Sequence, residues 1–170
     1  MQAPLQTLTR LFAALLLALT LGGCASKFKT YDGPAVTRVV LVKSTRKLYL
    51  MHGDQRLKSY DVDLGFAPVG PKRFEGDGRT PEGRYVIDRR NPDSQYHLSL
   101  GISYPNAADI ARARKAGRDP GGDIFIHGGP TRLADFGRKD WTAGCISVSN
   151  REIEEIYAMV RNGTEIDILP

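Results

Sequence analysis

Residues suited to metal and thiol chemistry are scarce in this chain, which has three histidines, two cysteines and one tryptophan. It has no His-Glu-x-x-His and no paired Cys-x-x-Cys, so the common zinc spacings are missing and no metal or other cofactor is expected. No histidine follows Cys145, which excludes the papain-like order of a nucleophilic cysteine with its base downstream. The longest apolar run, Leu11–Leu21, is too short to span a bilayer as a stable helix. Gly65-Phe66-Ala67-Pro68-Val69-Gly70-Pro71-Lys72 echoes a phosphate-binding loop, but Pro71 intrudes before the lysine and no Ser or Thr follows it. Asp61, Asp63 and Asp77 lack calcium-loop spacing. The basic residues, 24 against 19 acidic, are scattered and carry no recognition motif, which argues against nucleic acid as a partner. A net charge of +5 suits an anionic polymer or a membrane surface instead.

What is present reads as one domain behind a leader. The 170 residues are ample for a single core. Residues 1–24 combine Arg10, the apolar stretch and Leu21-Gly22-Gly23-Cys24, the pattern of an export signal ending at a cysteine that becomes lipidated. The expected location is therefore outside the cytoplasm, periplasmic and held to a membrane through Cys24. Ala25 after the cysteine favours the outer membrane in a diderm cell. Residues 25–36, with Gly33-Pro34, read as a tether, and residues 37–170 as the domain. If Cys24 carries lipid, Cys145 is a lone thiol in an oxidising compartment, better explained by reactivity than by chance.

The domain reads as mainly β with two helices. Val36–Lys43, Lys47–Met51 and Arg56–Leu64 form a meander, with His52 a solvated turn residue. Gly65–Gly83 is a loop dense in Gly and Pro, after which Arg84–Arg89 and Ser94–Ile102 are strands. Pro105–Gly117 is a helix with Asn106 as N-cap, Asp109 in its first turn and Gly117 as its stop. Asp123–Ile126 is a short buried strand delivering His127. Ile146–Val148 is another, and Ser149 then caps a helix with Glu152 three residues on. Thr164–Leu169 closes the chain.

Chemistry concentrates between His127 and Cys145. A thiol attacks a carbonyl only as thiolate, so it needs a base. Of His52, His97 and His127, only His127 is followed at once by glycines in a loop. The Gly128 carbonyl can accept the imidazole N–H and fix its tautomer, as the carboxylate does in a Ser-His-Asp triad. Gly144 clears space beside the nucleophile, and backbone N–H groups around Ala143, Gly144 and Cys145 can form an oxyanion hole. Tyr96, His97, Trp141 and Thr142 are candidates for lining the groove. Such a thiol is expected to alkylate faster than free cysteine near neutral pH.

The residues His127-Gly128 and Thr142-Ala143-Gly144-Cys145 resemble the His-Gly, loop, Ser/Thr-x-Gly-Cys signature of the L,D-transpeptidase (YkuD-domain) family. The run Gly76–Gly83 and Tyr96–Gly101 strengthen the likeness, which covers roughly residues 37–170. Two positions depart from it: many members carry His at Ala143 and Arg at Ser147. The resemblance implies an L,D-transpeptidase-like β-sandwich and a cysteine acyltransferase acting on peptidoglycan stem peptides. Cys145 would form a thioester, and an amine of another stem or of an outer-membrane lipoprotein would resolve it. Alternatives are a hydrolase of the same family, either a carboxypeptidase or an amidase releasing cross-linked lipoprotein, and a non-catalytic peptidoglycan-binding lipoprotein.

Overall fold

The computed structural model describes residues 26–170; the leader and Cys24 lie outside the described residues. Eight strands and two α-helices follow one another: β1 (Arg38–Val42), β2 (Lys47–His52), β3 (Gln55–Asp61), β4 (Gly83–Asn91), β5 (Ser99–Ile102), α1 (Ala107–Lys115), β6 (Phe125–His127), β7 (Ile146–Ser147), α2 (Asn150–Met159) and β8 (Glu165–Leu169). The strands form one sheet in the order β3-β2-β1-β8-β4-β5-β6-β7. β1 pairs with β8, and β6 with β7, in parallel; the other pairings are antiparallel.

The expected sandwich is thus a single sheet curled on itself. Bridges Asp63↔Ser147 and Gly65↔Thr142 join the chain leaving β3 to the chain around β7, which lies at the other end of the strand order. Alternation explains the inward face. Val39 and Leu41 of β1, Leu48 and Leu50 of β2 and Ile166 of β8 are fully buried, as the period-two geometry of strands demands. Ile153, Ile156 and Met159 of α2 bury the helical stripe against the same core.

Both helices start where the sequence places them. Asn106 caps α1 and Ser149 caps α2, each in a reciprocal capping box, with Asp109 and Glu152 as the respective partners. Asp109 does more than cap: it is buried, accepting from the Tyr85 hydroxyl at 2.9 Å and from Arg112 at 3.0 Å.

Two expectations change. The strand expected over Ser94–Ile102 begins only at Ser99, because His97 adopts a positive φ of 74° and the Leu98 N–H bonds back to the Tyr96 carbonyl at 3.0 Å. The segment expected as a tether is, from Lys27 onward, laid against the domain. Lys27 donates to the Pro92 carbonyl at 2.6 Å, Lys29 pairs with Glu154 at 3.3 Å, and the Phe28 ring sits 6.4 Å from that of Tyr157. Alternating cations and aromatics made this docking possible; the Gly-Pro that signals a linker comes after it. Among the described residues no helix is long and apolar enough to cross a membrane.

Candidate active site

The sheet register decides whether the imidazole and the thiol can meet. Ile126 pairs with Ile146 and His127 with Ser147 in the parallel β6–β7 ladder. Both isoleucines are fully buried, so they point into the core. Carrying the register one residue back sets Cys145 beside Phe125, and strand alternation puts Phe125, His127 and Cys145 together on the opposite face. His127 and Cys145 line one cleft of about 490 Å³, with Ser99, Asn91 and Phe125.

The turn after β6 is held by a set of hydrogen bonds. His127 Nδ1 donates to the Gly128 carbonyl at 2.7 Å, and the buried Ser147 hydroxyl donates to the same oxygen at 3.0 Å. A carbonyl only accepts, so the proton is on Nδ1 and Nε2 carries the free lone pair of the neutral ring. The Gly128 N–H reaches the Tyr96 carbonyl at 3.0 Å, and the Gly129 N–H reaches Asn150 Oδ1 at 3.0 Å. A Cβ on Gly128 would lie 2.5 Å from both the Tyr96 carbonyl oxygen and Asn150 Oδ1, so only glycine fits. Two aromatic rings flank the imidazole: Tyr96 stacks on it at 4.4 Å between centroids, and Trp141 meets it edgewise at 5.6 Å.

The turn before Cys145 is built on Thr142. Its hydroxyl donates to the Cys145 carbonyl at 2.7 Å and accepts the Gly144 N–H at 3.2 Å. Its own backbone is clamped to the other end of the sheet, by Thr142 N–H to Leu64 O at 3.1 Å and Phe66 N–H to Thr142 O at 2.9 Å. Gly144 has φ +137°, and a Cβ there would sit 2.7 Å from the Arg79 carbonyl oxygen. The sulfur's bond is to the Asp123 carbonyl, at 3.5 Å.

Burial governs the electrostatics. It pushes His127 down from 6.5 to about 4, against the opposing bond to Gly128. It pushes the Cys145 thiol up; the Phe125 N–H opposes this, and the Asp123 charge adds to it. The resting pair is therefore neutral thiol and neutral imidazole. These directions run against the expectation of a thiol that alkylates faster than free cysteine in the resting protein. Neutral, the His127 ring can accept a proton at Nε2.

Both the sequence and the fold have known counterparts. The model of the L,D-transpeptidase catalytic domain (YkuD) matches residues 37–168. The chain belongs to that family. It is 30% identical over 138 residues to YafK of Escherichia coli (strain K12), whose L,D-transpeptidase name is itself provisional; the match covers 79% of this chain and 50% of YafK. The chain thus spans about half the length of that relative. Among solved structures, the helical cell shape determining protein Pgp2 of Campylobacter jejuni superposes with TM-score 0.63 at 26% identity, over 86% of this chain and 51% of Pgp2. The L,D-transpeptidase of Mycobacterium smegmatis shares the fold, with TM-score 0.54 at 15% identity over 80% of this chain and 59% of that one.

Set on the family frame, the sequence-derived candidates divide. Tyr96 lines the cleft beside His127 and Cys145, and Trp141 completes the box around the imidazole. Thr142 is buried with both functions of its hydroxyl spent on the turn, so it shapes the site rather than lining it. His97 turns away, its Nε2 2.8 Å from Glu154 of α2, which removes it from the groove and from any ligand set with His127 and Cys145. Among the described residues, no three His, Cys, Asp or Glu side chains gather as metal ligands. The oxyanion donors also need revision. The N–H groups of Gly144 and Gly128 are bonded to Thr142 Oγ1 and the Tyr96 carbonyl, which leaves those of Ala143 and Cys145 without a protein partner among the described residues. Gly128 keeps its orienting role through its carbonyl. Sequence reading missed Asn91, Ser94, Gln95 and Ser99 of the cleft wall. No motif marks them; only the β4–β5–β6 register brings them in.

Proposed function

We propose that this chain is an exported, lipid-anchored cysteine acyltransferase that acts on peptidoglycan stem peptides. The observation that carries the reading is His127 and Cys145 on one wall of one cleft, with Nδ1 tied to Gly128 and Nε2 free to take a proton. As the carbonyl of the third stem residue approaches, Nε2 takes the thiol proton and the sulfur–carbon bond forms. The C–N bond to the terminal D-alanine then breaks, and the departing amine takes the proton back from the imidazolium. An acceptor amine attacks the thioester, gives its proton to His127, and the sulfur leaves as thiolate and regains the proton. The Ala143 and Cys145 amides are the donors to the tetrahedral oxygen. The chain's own residues carry every proton.

A second groove of about 240 Å³, lined by Asp63, Gly129, Pro130, Lys139 and Trp141 among others, opens beyond Trp141. It offers an acceptor stem, or a lysine of an outer-membrane lipoprotein, an approach separate from the donor cleft. One observation favours water as the acceptor instead: Ala143 is exposed and covers the nucleophile's turn with no more than a methyl group. Product analysis separates the two. With tetrapeptide muropeptides, cross-linked dimers mean transfer and monomeric tripeptide alone means hydrolysis, while Cys145→Ala should yield neither. Turnover persisting in that variant would refute the nucleophile, and no turnover by the wild type would leave a wall-binding lipoprotein.

A further inference from the structure

One wall of the cleft comes from a single stretch of chain. Asn91 at the end of β4 and Ser94, Gln95 and Tyr96 of the loop before β5 all line it. Tyr96 serves His127 twice: its ring stacks on the imidazole at 4.4 Å, and its carbonyl accepts the Gly128 N–H at 3.0 Å. The residue that aims Tyr96 is His97. Its φ of 74° lies in the left-handed region, which residues other than glycine hold only where their surroundings enforce it.

Here the enforcing contacts come from outside the loop. His97 Nε2 donates to Glu154 Oε1 of α2 at 2.8 Å, with the two side chains only 26% and 19% exposed. The His97 carbonyl lies 3.5 Å from Lys27 Nζ, which also donates to the Pro92 carbonyl at 2.6 Å. Lys29 takes the other oxygen of Glu154, at 3.3 Å. α2 thus grips the turn after β6 from two directions. Asn150 holds the Gly129 N–H at 3.0 Å, and Glu154 holds His97 behind Tyr96.

We propose that His97 and Glu154 are positioning residues for the base, a clasp that keeps Tyr96 on His127 and that Lys27 and Lys29 close. Both stand outside the cleft and act through Tyr96. With the clasp open, the backbone at His97 relaxes toward the extended region and Tyr96 swings off the imidazole. Water then reaches the ring, and the Gly128 N–H loses its acceptor. The inference deepens the reading of His127 as the base, and its first test needs no turnover.

That test is the titration of His127 in the full-length protein, followed by heteronuclear NMR with isotopically labelled histidine. The chain has only three histidines, and single substitutions assign them. Burial lowers the His127 pKa against the bond to Gly128, so the midpoint reads how well Tyr96 covers the ring. It should lie at about 4 in the parent and move toward 6.5 in His97→Ala and in Glu154→Ala, with circular dichroism confirming the fold. Lys27→Met, which leaves His97 and Glu154 in place, should move it part of the way. Glu154→Gln keeps an acceptor oxygen for His97 and should hold the midpoint low, which separates the clasp from a loss of charge. The double variant should shift no further than either single one, as coupled partners require. In turnover of a tetrapeptide stem, the alanine variants should lose about tenfold or more in kcat with KM little changed. A midpoint unmoved in both alanine variants, or moved as far by Glu154→Gln, would overturn the clasp. Shifts as expected in a parent protein that releases no D-alanine would uphold the clasp and overturn the acyltransferase reading.

Discussion

His127 is a buried ring with one nitrogen bonded to the Gly128 carbonyl and the other left to accept a proton. Packed between Tyr96 and Trp141 and held below its usual range at about 4, it stays neutral through mildly acidic conditions. The acid limb of kcat/KM should therefore fall near pH 4 and not near 6.5; a limb at 6.5 would mean that the imidazole is solvated. The same shift links to stability. Below pH 6.5 the unfolded chain takes up a proton that the folded one refuses until about 4, so stability declines as pH falls through that window. The contribution is on the order of 3 kcal/mol. It should appear as the difference between wild type and His127→Gln in unfolding free energy measured from pH 7 to pH 4; parallel curves would contradict it. The thiol is shifted the other way. Iodoacetamide should accordingly label resting Cys145 more slowly than free cysteine at pH 7, and the rise with pH should lie above that of the free amino acid.

At the scale of elements, the site depends on short strands and the turns between them. β6 has three residues and β7 two, too few to keep a register alone, and the Thr142 hydroxyl supplies much of what is missing. Thr142→Val keeps the volume but strips the Cys145 carbonyl and the Gly144 N–H of their partner. It should cost about 1–3 kcal/mol in denaturant unfolding and lower kcat more than it changes KM. Gly144→Ala should do worse, since its methyl meets the Arg79 carbonyl. The segment Lys27–Tyr31, docked on α2 and the loop before β5, contributes as well. Replacing Phe28 and Lys29 together by Ala should lower the melting temperature by a few degrees; no change would mean that the segment is only draped on the surface.

Much of this scale was legible in advance. Asn106 and Ser149 announced both helices, and alternation announced the meander of β1 to β3. What could not be read was anything set by distant pairing. His97 and Tyr96 are neighbours in sequence and equal candidates by composition, yet a positive φ at His97 sends one toward Glu154 and leaves the other on His127. Thr142 looked like a groove residue because its hydroxyl's two partners lie within its own turn, a geometry that spacing does not reveal. Residues 25–36 looked like a linker because the contacts of Lys27, Phe28 and Lys29 lie more than sixty residues away, at Pro92, Glu154 and Tyr157.

Over the whole molecule, one curled sheet brings the segment after β3 against the turn before Cys145, so that turn is held from both ends of the strand order. The family accounts for the fold, and the cleft that holds His127 and Cys145 has walls poor in charge. The direct test of the account is the mass of the protein during turnover. Acid-quenched samples taken with a tetrapeptide stem should show the chain heavier by the tripeptide acyl group. The peptide containing Cys145 should carry that mass, with free D-alanine released and no adduct in Cys145→Ala. Release of D-alanine with Cys145 unmodified at every time point, or an adduct mapped to any other residue, would contradict it.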